Sequence, residues 1–406
     1  MATDITQIWE ELVWEKESKI VYLVLDGLGG IPKKQSGETS LQGANTPNLD
    51  QLAQNSSCGL LEIVGAGITP GSGPGHLSLF GYDPIKYRIG RGILSALGVD
   101  FELQEGDVAA RVNFASITPA GDVSDRRAGR ISTELNEKLC AKIRENVKLD
   151  FDGQYFLETV SEHRAVLVLR GEGLGGQLED TDPQQTKVKP LPPTAKDQDS
   201  EKTVSLVKSF VQQVQQVLAD ENPANMILLR GFDQYKPFPS LRDRFKIRGL
   251  CVADYPMYRG VSRLLGMDVV PKPGGIEARF KTLVSSYKED YNFFFLHVKK
   301  PDSKGEDANF VGKVKVIEQV DQLLPHITQL NPDVLVVTAD HSTPAQMGQH
   351  SWHPVPLMIY APTARVDAVA QFDEYSCSQG VLGLRPGIHV MGLAMAHAGM
   401  MKKFGA

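Results

Sequence analysis

The chain has 406 residues, of which 41% are hydrophobic and 23% are charged, and its formal net charge is −6. These values are ordinary for a globular protein of two or three domains, and the acidic balance argues against binding to nucleic acid or an anionic membrane surface. The four cysteines form no CxxC pair, which argues against a disulfide framework or a zinc ribbon. The acidic first residues and the lack of an apolar run of about 20 residues lead us to expect a cytoplasmic protein.

Three continuous apolar runs predict buried strands, namely Ile20–Leu25, Phe293–Val298 and Val334–Thr338. Runs of this kind are typical of a parallel sheet that is covered on both faces. Between the last two, residues 310–327 carry apolar side chains at three- and four-residue steps, which predicts an amphipathic helix. The order strand, helix, strand indicates a crossover within an α/β sheet.

A polar, proline-containing segment precedes a second predicted helix. Residues 203–219 place valine and phenylalanine on one helical face, whereas residues 177–202 show no apolar periodicity. The polar segment is therefore expected to be a loop, either a linker between domains or a long loop within one domain.

Acidic residues follow each of the three predicted strands. Asp26 comes directly after the first strand, Asp340 follows the last, and Asp302 comes after two lysines and a proline. Ligands of open α/β sheets bind beyond the carboxyl ends of the strands, and three carboxylates there would repel one another unless a cation joined them. A single such aspartate is usually a turn or cap residue. Three of them favour metal binding.

Two histidines strengthen that interpretation. His341 follows Asp340 directly, and His350 lies nine residues further along the same loop. Imidazole and carboxylate groups together are a common ligand set for divalent metals. Four other histidines, in contrast, are expected to have structural or supporting roles: His297, His326, His389 and His397.

A glycine-rich segment, TPGSGPGH at residues 69–76, surrounds Ser72. A small residue in such a loop can approach a phosphate closely, and the N–H groups of a following helix would stabilise its charge. A plain glycine-rich turn is the alternative. The segment is neither a Walker loop nor a GxSxG elbow.

Arginines form the last signal. Residues 125–130 read DRRAGR, and Arg164, Arg170 and Arg230 lie beside or within strand-like runs. Guanidinium groups suit bidentate binding of phosphate and carboxylate. A solvated charged face is the alternative for the DRRAGR cluster.

These motifs, in this order, resemble the archaeal-type, cofactor-independent phosphoglycerate mutases of the alkaline phosphatase superfamily. The resemblance covers almost the whole chain and rests on strings such as LDGLGG, TPNLDQLA, GSGPGH, DRRAGR, HRAVLVLRG, TADHS and HPVPLMI. It implies an α/β fold in which a phosphatase-like core, with a largely parallel sheet flanked by helices, is interrupted by a smaller inserted α/β domain. We expect the core to comprise residues 1–93 and 243–406 and the insert to comprise residues 94–242.

The resemblance also implies site residues. Four would surround one metal ion: Asp26, Ser72, Asp340 and His341. Asp302 and His350 would bind a second, together with Glu306, which stands where family members often have histidine. The insert would bind substrate through Asp125, Arg126, Arg127, Arg130, Arg164 and Arg230.

The activity implied is an isomerase reaction, the interconversion of 2-phosphoglycerate and 3-phosphoglycerate through phosphorylated Ser72. It would need two divalent ions, Mn²⁺ or Mg²⁺, and no 2,3-bisphosphoglycerate. The expected partner is a small phosphorylated three-carbon acid, with no nucleic acid and no membrane. Two alternatives stay open at this point: a metal-dependent phosphatase or phosphonate hydrolase, and a non-catalytic sensor of a phosphorylated metabolite.

Overall fold

A computed structural model describes residues 5–405, and the chain divides into two compact units. The core unit comprises Met1–Arg88, Pro239–Tyr258 and Leu265–Ala406, and the inserted unit comprises Ile89–Phe238 and Arg259–Leu264. The domain boundaries after residues 93 and 242 stay a prediction. The helix Arg91–Gly98 belongs with the inserted unit, where Gly92 allows its backbone to lie against Ala109.

Thirteen strands are present within residues 5–405. They are β1 (Ile20–Leu25), β2 (Ser57–Glu62), β3 (Val108–Ile117), β4 (Val123–Asp125), β5 (Gly153–Ser161), β6 (Arg164–Gly171), β7 (Met226–Gln234), β8 (Gly249–Val252), β9 (Asp268–Val269), β10 (Phe293–Val298), β11 (Val334–Thr338), β12 (Val355–Tyr360) and β13 (Gly383–Pro386).

The helices of the same region include none long and apolar enough to cross a membrane. They are α1 (Ile5–Leu12), α2 (Pro47–Ala53), α3 (Ser72–Leu79), α4 (Arg91–Gly98), α5 (Thr133–Asn146), α6 (Glu201–Val217), α7 (Leu241–Phe245), α8 (Pro256–Leu264), α9 (Ile276–Ser286), α10 (Lys300–Glu306), α11 (Phe310–Leu323), α12 (Pro325–Thr328), α13 (Glu374–Cys377) and α14 (His389–His397). Ala128–Arg130 and Gln198–Ser200 are short 3₁₀ turns.

The core unit is built on an eight-stranded sheet in the order β13-β2-β12-β11-β1-β10-β8-β9, counted over the described residues. Strands β11, β1, β10, β8 and β9 run parallel, while β12 is antiparallel to both of its neighbours. All residues of β1, β10 and β11 are buried, because helices cover the sheet. The three strands predicted from apolar runs are confirmed at the same residues, and so is the largely parallel α/β fold.

The prediction of a single helix over residues 310–327 is wrong in one respect. The segment consists of α11 and α12, which are separated at Leu324. Pro325 has no N–H to continue the hydrogen-bond ladder of α11 and instead occupies the first position of α12. The connection still carries the chain from β10 to β11, which lie on either side of β1.

The inserted unit contains a smaller sheet whose strand pairs are all antiparallel, in the order β4-β3-β6-β5 with β7 paired to β3. Its core packs apolar side chains of α5 and α6 against this sheet. The helix predicted at residues 203–219 is α6, which begins two residues earlier. The polar segment at residues 177–202 lies within the inserted unit, so it is a long loop and not a linker between domains.

Candidate metal centre and arginine cluster

The three predicted aspartates lie just beyond the carboxyl ends of adjacent parallel strands. Asp26 follows β1 directly and Asp340 follows β11 by two residues. Asp302, in contrast, does not end a strand but lies in the first turn of α10, where Pro301 suits the start of a helix. Because β10, β1 and β11 are neighbours, all three carboxyl groups converge, and all three residues are fully buried.

The first acid–histidine group consists of Asp26, Asp340 and His341, whose ligand atoms lie within 4.8 Å of one another. Nε2 of His341 is 3.2 Å from Oδ1 of Asp26 and 3.3 Å from Oδ2 of Asp340. The hydroxyl Oγ of Ser72 lies 3.2 Å from the same nitrogen. The four residues that the sequence assigned to one metal ion are therefore brought together.

Ser72 is not in a loop, as the sequence suggested, but is the first residue of helix α3. Gly75, three residues further along, allows this helix to approach the loop after β11 closely. A side chain at Gly75 would lie 2.4 Å from the carbonyl oxygen of Asp340. Glycine is thus required there for packing, and the N-terminus of α3 places the buried Ser72 side chain beside the first group.

The second group consists of Asp302, His341 and His350. Nε2 of His350 lies 3.4 Å from Oδ1 of Asp302, and the two imidazole rings stack with their centres 3.6 Å apart. Oε1 of Glu306 lies 3.9 Å from Nε2 of His350, and its side chain is exposed. Glu306 therefore lies at the edge of the second group and is not one of its three members.

The donors of the first group fit a divalent cation. Oδ1 of Asp26 and Oδ2 of Asp340 are buried and accept no hydrogen bond from any residue that the structure describes. Buried carboxylate oxygens without a donor are costly, and a cation that accepts their lone pairs removes the cost. Two carboxylates, an imidazole and a hydroxyl are suitable ligands for such an ion.

The electrostatics reflect this crowding of carboxylates. Burial, and then the charge of Asp26, raise the pKa of Asp340 to about 7. Burial acts in the same direction on Asp302, but its hydrogen bond to His350 and the charges of Lys299 and His341 together outweigh it and lower the pKa of Asp302 to about 2. For His350, burial opposes the charged form, yet its hydrogen bonds to Asp302 and to the backbone of Pro70, together with the charges of Asp302 and Asp340, raise its pKa to about 9.

Sequence reasoning missed several side chains that hold Asp26. Its Oδ2 accepts a hydrogen bond from Tyr258, lies 3.2 Å from Nε2 of His297, and is 3.3 Å from Nζ of Lys299. His297 was expected to pack or to support the site, which agrees with its position. Lys299 directly follows β10. Its place after a buried strand was the one feature of the sequence that pointed to a role in the site.

Two further polar residues hold the other aspartates. Nδ1 of His76 lies 3.3 Å from Oδ2 of Asp340, and Thr343 donates a 2.6 Å hydrogen bond to Oδ1 of Asp302. His76 closes the glycine-rich string and Thr343 lies just beyond the TADHS string. Both are close in sequence to residues that were identified, but nothing in the local pattern distinguished them.

In the inserted unit, two of the predicted arginines contact the same acidic residue, Asp182. Arg126 forms a bidentate pair with the buried Asp182, at 2.8 and 2.7 Å. Arg230 lies 3.5 Å from the same carboxylate and 3.6 Å from Asp180. These contacts fix both guanidinium groups in place.

The DRRAGR segment is a strained turn. Asp125 accepts hydrogen bonds from the backbone N–H groups of Arg127 and Gly129, at 2.8 and 2.7 Å. Ala128 and Arg130 have φ angles of 44° and 55°, which side chains other than glycine rarely adopt. Backbone strain of this kind is concentrated at functional sites, and here the two hydrogen bonds to Asp125 stabilise the turn that carries the exposed Arg127 and Arg130.

A buried histidine of the inserted unit lies near four arginines. His163 is 1% exposed, and burial, followed by the repulsion of nearby arginines, lowers its pKa to about 3. Those arginines are Arg164, Arg111, Arg127 and Arg130. Arg164 also forms an ion pair of 3.0 Å with Glu162. Four arginines that converge on one histidine form a concentrated cationic surface, which we call the arginine cluster.

His163 leads to a prediction about acid stability. Its pKa in the folded protein is about 3, below the ordinary value of 6.5. Between these two pH values the unfolded chain is protonated at His163 and the folded chain is not. His163 therefore lowers stability progressively as the pH falls from 6.5, by about 2 kcal/mol at pH 5. Between pH 6.5 and pH 5, the free energy of unfolding of H163N, measured in urea, should therefore fall by about 2 kcal/mol less than that of wild type. The exposed His326→Gln is the control, and equal slopes for wild type and H163N would contradict the prediction.

Comparison with known proteins identifies relatives over the whole chain. A family model described as 2,3-bisphosphoglycerate-independent phosphoglycerate mutase matches residues 53–225. A protein of Thermus thermophilus, named as a probable enzyme of that kind, is 48% identical over 99% of this chain and 100% of its own. The solved cofactor-independent phosphoglycerate mutase of Thermoplasma acidophilum is 29% identical, with a TM-score of 0.68 over 94% of this chain and 100% of its own. A solved protein from Pyrococcus horikoshii is 30% identical, with a TM-score of 0.81 over 96% and 99%.

The fold and the two acid–histidine groups define an α/β protein with a candidate divalent-metal centre at the carboxyl edge of its sheet. The full-length similarity is more specific. This chain belongs to the family of 2,3-bisphosphoglycerate-independent phosphoglycerate mutases. The family resemblance inferred from the sequence motifs is thereby confirmed.

Proposed function

We propose that this protein interconverts 2-phosphoglycerate and 3-phosphoglycerate through a phosphorylated Ser72, without 2,3-bisphosphoglycerate. The observation that carries the proposal is the position of Ser72 at the start of α3, with Oγ 3.2 Å from Nε2 of His341 and beside two buried aspartates. A binding module would need no hydroxyl at this place. The family relationship supports the same reaction.

In the first half of the reaction, Oγ of Ser72 forms a bond to phosphorus and the bond from phosphorus to the glycerate oxygen breaks. The serine proton leaves and the glycerate oxygen gains a proton. In the second half, the other hydroxyl of glycerate attacks the phosphoserine, loses its proton, and releases Ser72. The phosphoryl group thus moves from one hydroxyl of glycerate to the other without any net uptake of water.

We assign the residues of the two groups as metal ligands. Asp26, Ser72, Asp340 and His341 would hold one divalent ion, and Asp302 and His350 would hold the other, with Glu306 as the least secure ligand. Such ions would lower the pKa of the serine hydroxyl and neutralise the phosphoryl oxygens. Because most of these donors are oxygens, Mn²⁺ and Mg²⁺ are expected to be preferred over zinc. We also expect the enzyme to act in the cytoplasm.

The arginine cluster and its neighbours, in this proposal, bind the substrate's negative groups. Planar guanidinium groups recognise carboxylate and phosphate through paired hydrogen bonds. Arg126 and Arg230 are fixed by Asp182, while Arg127 and Arg130 are exposed and available to a ligand. Asp125 holds the turn that presents them.

A coupled assay tests the function directly. The purified protein is supplied with 3-phosphoglycerate, with and without Mn²⁺, and with no added 2,3-bisphosphoglycerate. Metal-dependent formation of 2-phosphoglycerate is the expected result. Release of inorganic phosphate alone would assign a phosphatase, and binding with neither product would assign a sensor. Either outcome would replace the mutase proposal.

Substitution of the exposed arginines should change the fate of the phosphoserine. In Arg127→Ala or Arg130→Ala, a lost charge-assisted contact costs about 1.5–3 kcal/mol, or roughly 10- to 150-fold in substrate binding. Poorly held glycerate departs, and water then attacks the phosphoserine. We expect less mutase activity and a larger fraction of turnovers that release phosphate.

The control for this experiment is Lys208→Ala, which removes an exposed positive charge from α6 of the same unit. Circular dichroism excludes loss of folding, which would lower both products together. If R127A and R130A match K208A in mutase rate and in phosphate release, the cluster is a solvated surface.

A further inference from the structure

The ammonium group of Lys299 connects the two acid–histidine groups. Its Nζ lies 3.3 Å from Oδ2 of Asp26, a member of the first group, and 2.5 Å from Oδ2 of Asp302, a member of the second. The side chain is 22% exposed. One lysine thus forms ion pairs with a carboxylate from each group.

Lys299 uses one oxygen of each carboxylate and leaves the other facing a histidine. Oδ1 of Asp26 lies 3.2 Å from Nε2 of His341, and Oδ1 of Asp302 lies 3.4 Å from Nε2 of His350. The lysine therefore does not occupy the oxygens that face His341 and His350. A metal ion and the ammonium group can be accommodated at the same carboxylate.

The charges explain why a lysine is placed here. Three fully buried carboxyl groups, of Asp26, Asp302 and Asp340, lie together and repel one another. In the part of the chain that the structure describes, the other ion pairs of Asp26 and Asp302 are with histidines. Among these described ion pairs, Lys299 supplies the one ammonium or guanidinium charge, and an ammonium stays protonated throughout the neutral pH range, where an imidazole can lose its proton.

We propose that Lys299 is a built-in counter-cation for both metal groups. It is a positioning residue that keeps Asp26 and Asp302 together when no divalent ion is bound, and its charge weakens the binding of those ions once they arrive. The inference rests on the metal-binding part of the proposed function. It does not depend on which reaction the site performs.

The two effects are linked by a thermodynamic cycle. Removing one partner of a buried ion pair destabilises the folded chain, because an uncompensated charge remains. A divalent ion compensates that charge, so its binding to the variant restores more stability than its binding to wild type. A substitution that destabilises the metal-free protein more than the metal-bound protein must then tighten metal binding. A residue that merely orients ligands would have the opposite effect on affinity.

The test compares Lys299→Met with wild type, both purified with Mn²⁺ and then stripped with chelator. Calorimetry with MnCl₂ gives the affinity, and thermal unfolding gives the stability of the metal-free protein. For K299M we expect Mn²⁺ to bind at least about tenfold more tightly, and the metal-free melting temperature to fall by roughly 5 °C. Lys299→Arg, which keeps the charge, should retain both wild-type values.

The adjacent, exposed Lys300→Met is the matched control and should change neither value. Unchanged or weaker Mn²⁺ binding by K299M, or equal effects of K299M and K299R, would overturn the proposal. If wild type itself binds no Mn²⁺, the metal part of the proposed function fails, while the stability of the metal-free variants still tests Lys299.

If K299M does not fold without metal, a double variant tests the proposal. Asp302→Asn removes the negative charge that lost its partner, so K299M combined with D302N should regain folding without metal. If the double variant is no more stable than K299M alone, the loss is one of packing and the counter-cation is excluded.

Discussion

Replacing Ser72 with Ala should abolish turnover and leave metal binding largely intact. Removal of a catalytic nucleophile typically costs several orders of magnitude, so we expect a loss of at least about a thousandfold in kcat. Metal binding should persist because Asp26, Asp340 and His341 remain within 4.8 Å of one another. The rate is measured in the coupled assay, and bound Mn²⁺ is measured by calorimetry.

Ser78→Ala is a matched control, since Ser78 is a buried serine of the same helix whose hydroxyl donates to the carbonyl of Ile63 at 2.6 Å. It should retain activity. Rapid acid quench of the wild type should trap a phosphorylated peptide that contains Ser72, and the S72A protein should yield none. More than a few per cent of wild-type activity in S72A would falsify the covalent mechanism.

Lys313→Met should cause a large loss of stability. Lys313 is fully buried on α11, and Nζ donates to three carbonyl oxygens: Gly27 at 2.7 Å, Gly29 at 3.1 Å and Thr343 at 2.9 Å. Burial lowers its pKa to about 8, although the nearby Glu374 acts in the opposite direction. The amine thus joins the loop after β1 to the loop after β11.

Methionine has a similar length but no donor, so K313M leaves buried acceptors and the Glu374 charge without this partner. We expect the free energy of unfolding to fall by about 3–5 kcal/mol. Because the two loops carry Asp26 and His341, the affinity for Mn²⁺ should fall as well. Urea unfolding and calorimetry measure the two effects.

Lys315→Met is the control, because Lys315 lies two residues further along α11 and is exposed. It should unfold within about 0.5 kcal/mol of wild type. If K313M is no less stable than K315M, the three hydrogen bonds of Lys313 do not hold the loops, and their arrangement depends on the sheet alone.

The local sequence predicted the buried strands more accurately than the ends of the helices. The strands Ile20–Leu25, Phe293–Val298 and Val334–Thr338 were predicted at their observed bounds, because a strand buried on both faces is apolar at every position. The helix over residues 310–327 was less accurate, since apolar periodicity continues past Pro325 whereas the backbone hydrogen bonds do not. Local pattern thus predicts which segments are buried better than where a helix ends.

By itself the sequence determined the α/β class and the acidic and histidine residues after the strands, because parallel strands bring residues at their carboxyl ends to one edge. The glycine-rich string made Ser72 a candidate because a small residue there can approach a phosphate, and the structure adds that Gly75 lets its helix approach Asp340. Only the tertiary structure showed that Lys299 pairs with carboxylates of both groups, and that Lys313 binds Gly27 across 286 residues of chain. A lysine has the same local signature whether it is solvated or buried, since its role depends on acceptors that distant segments bring to it.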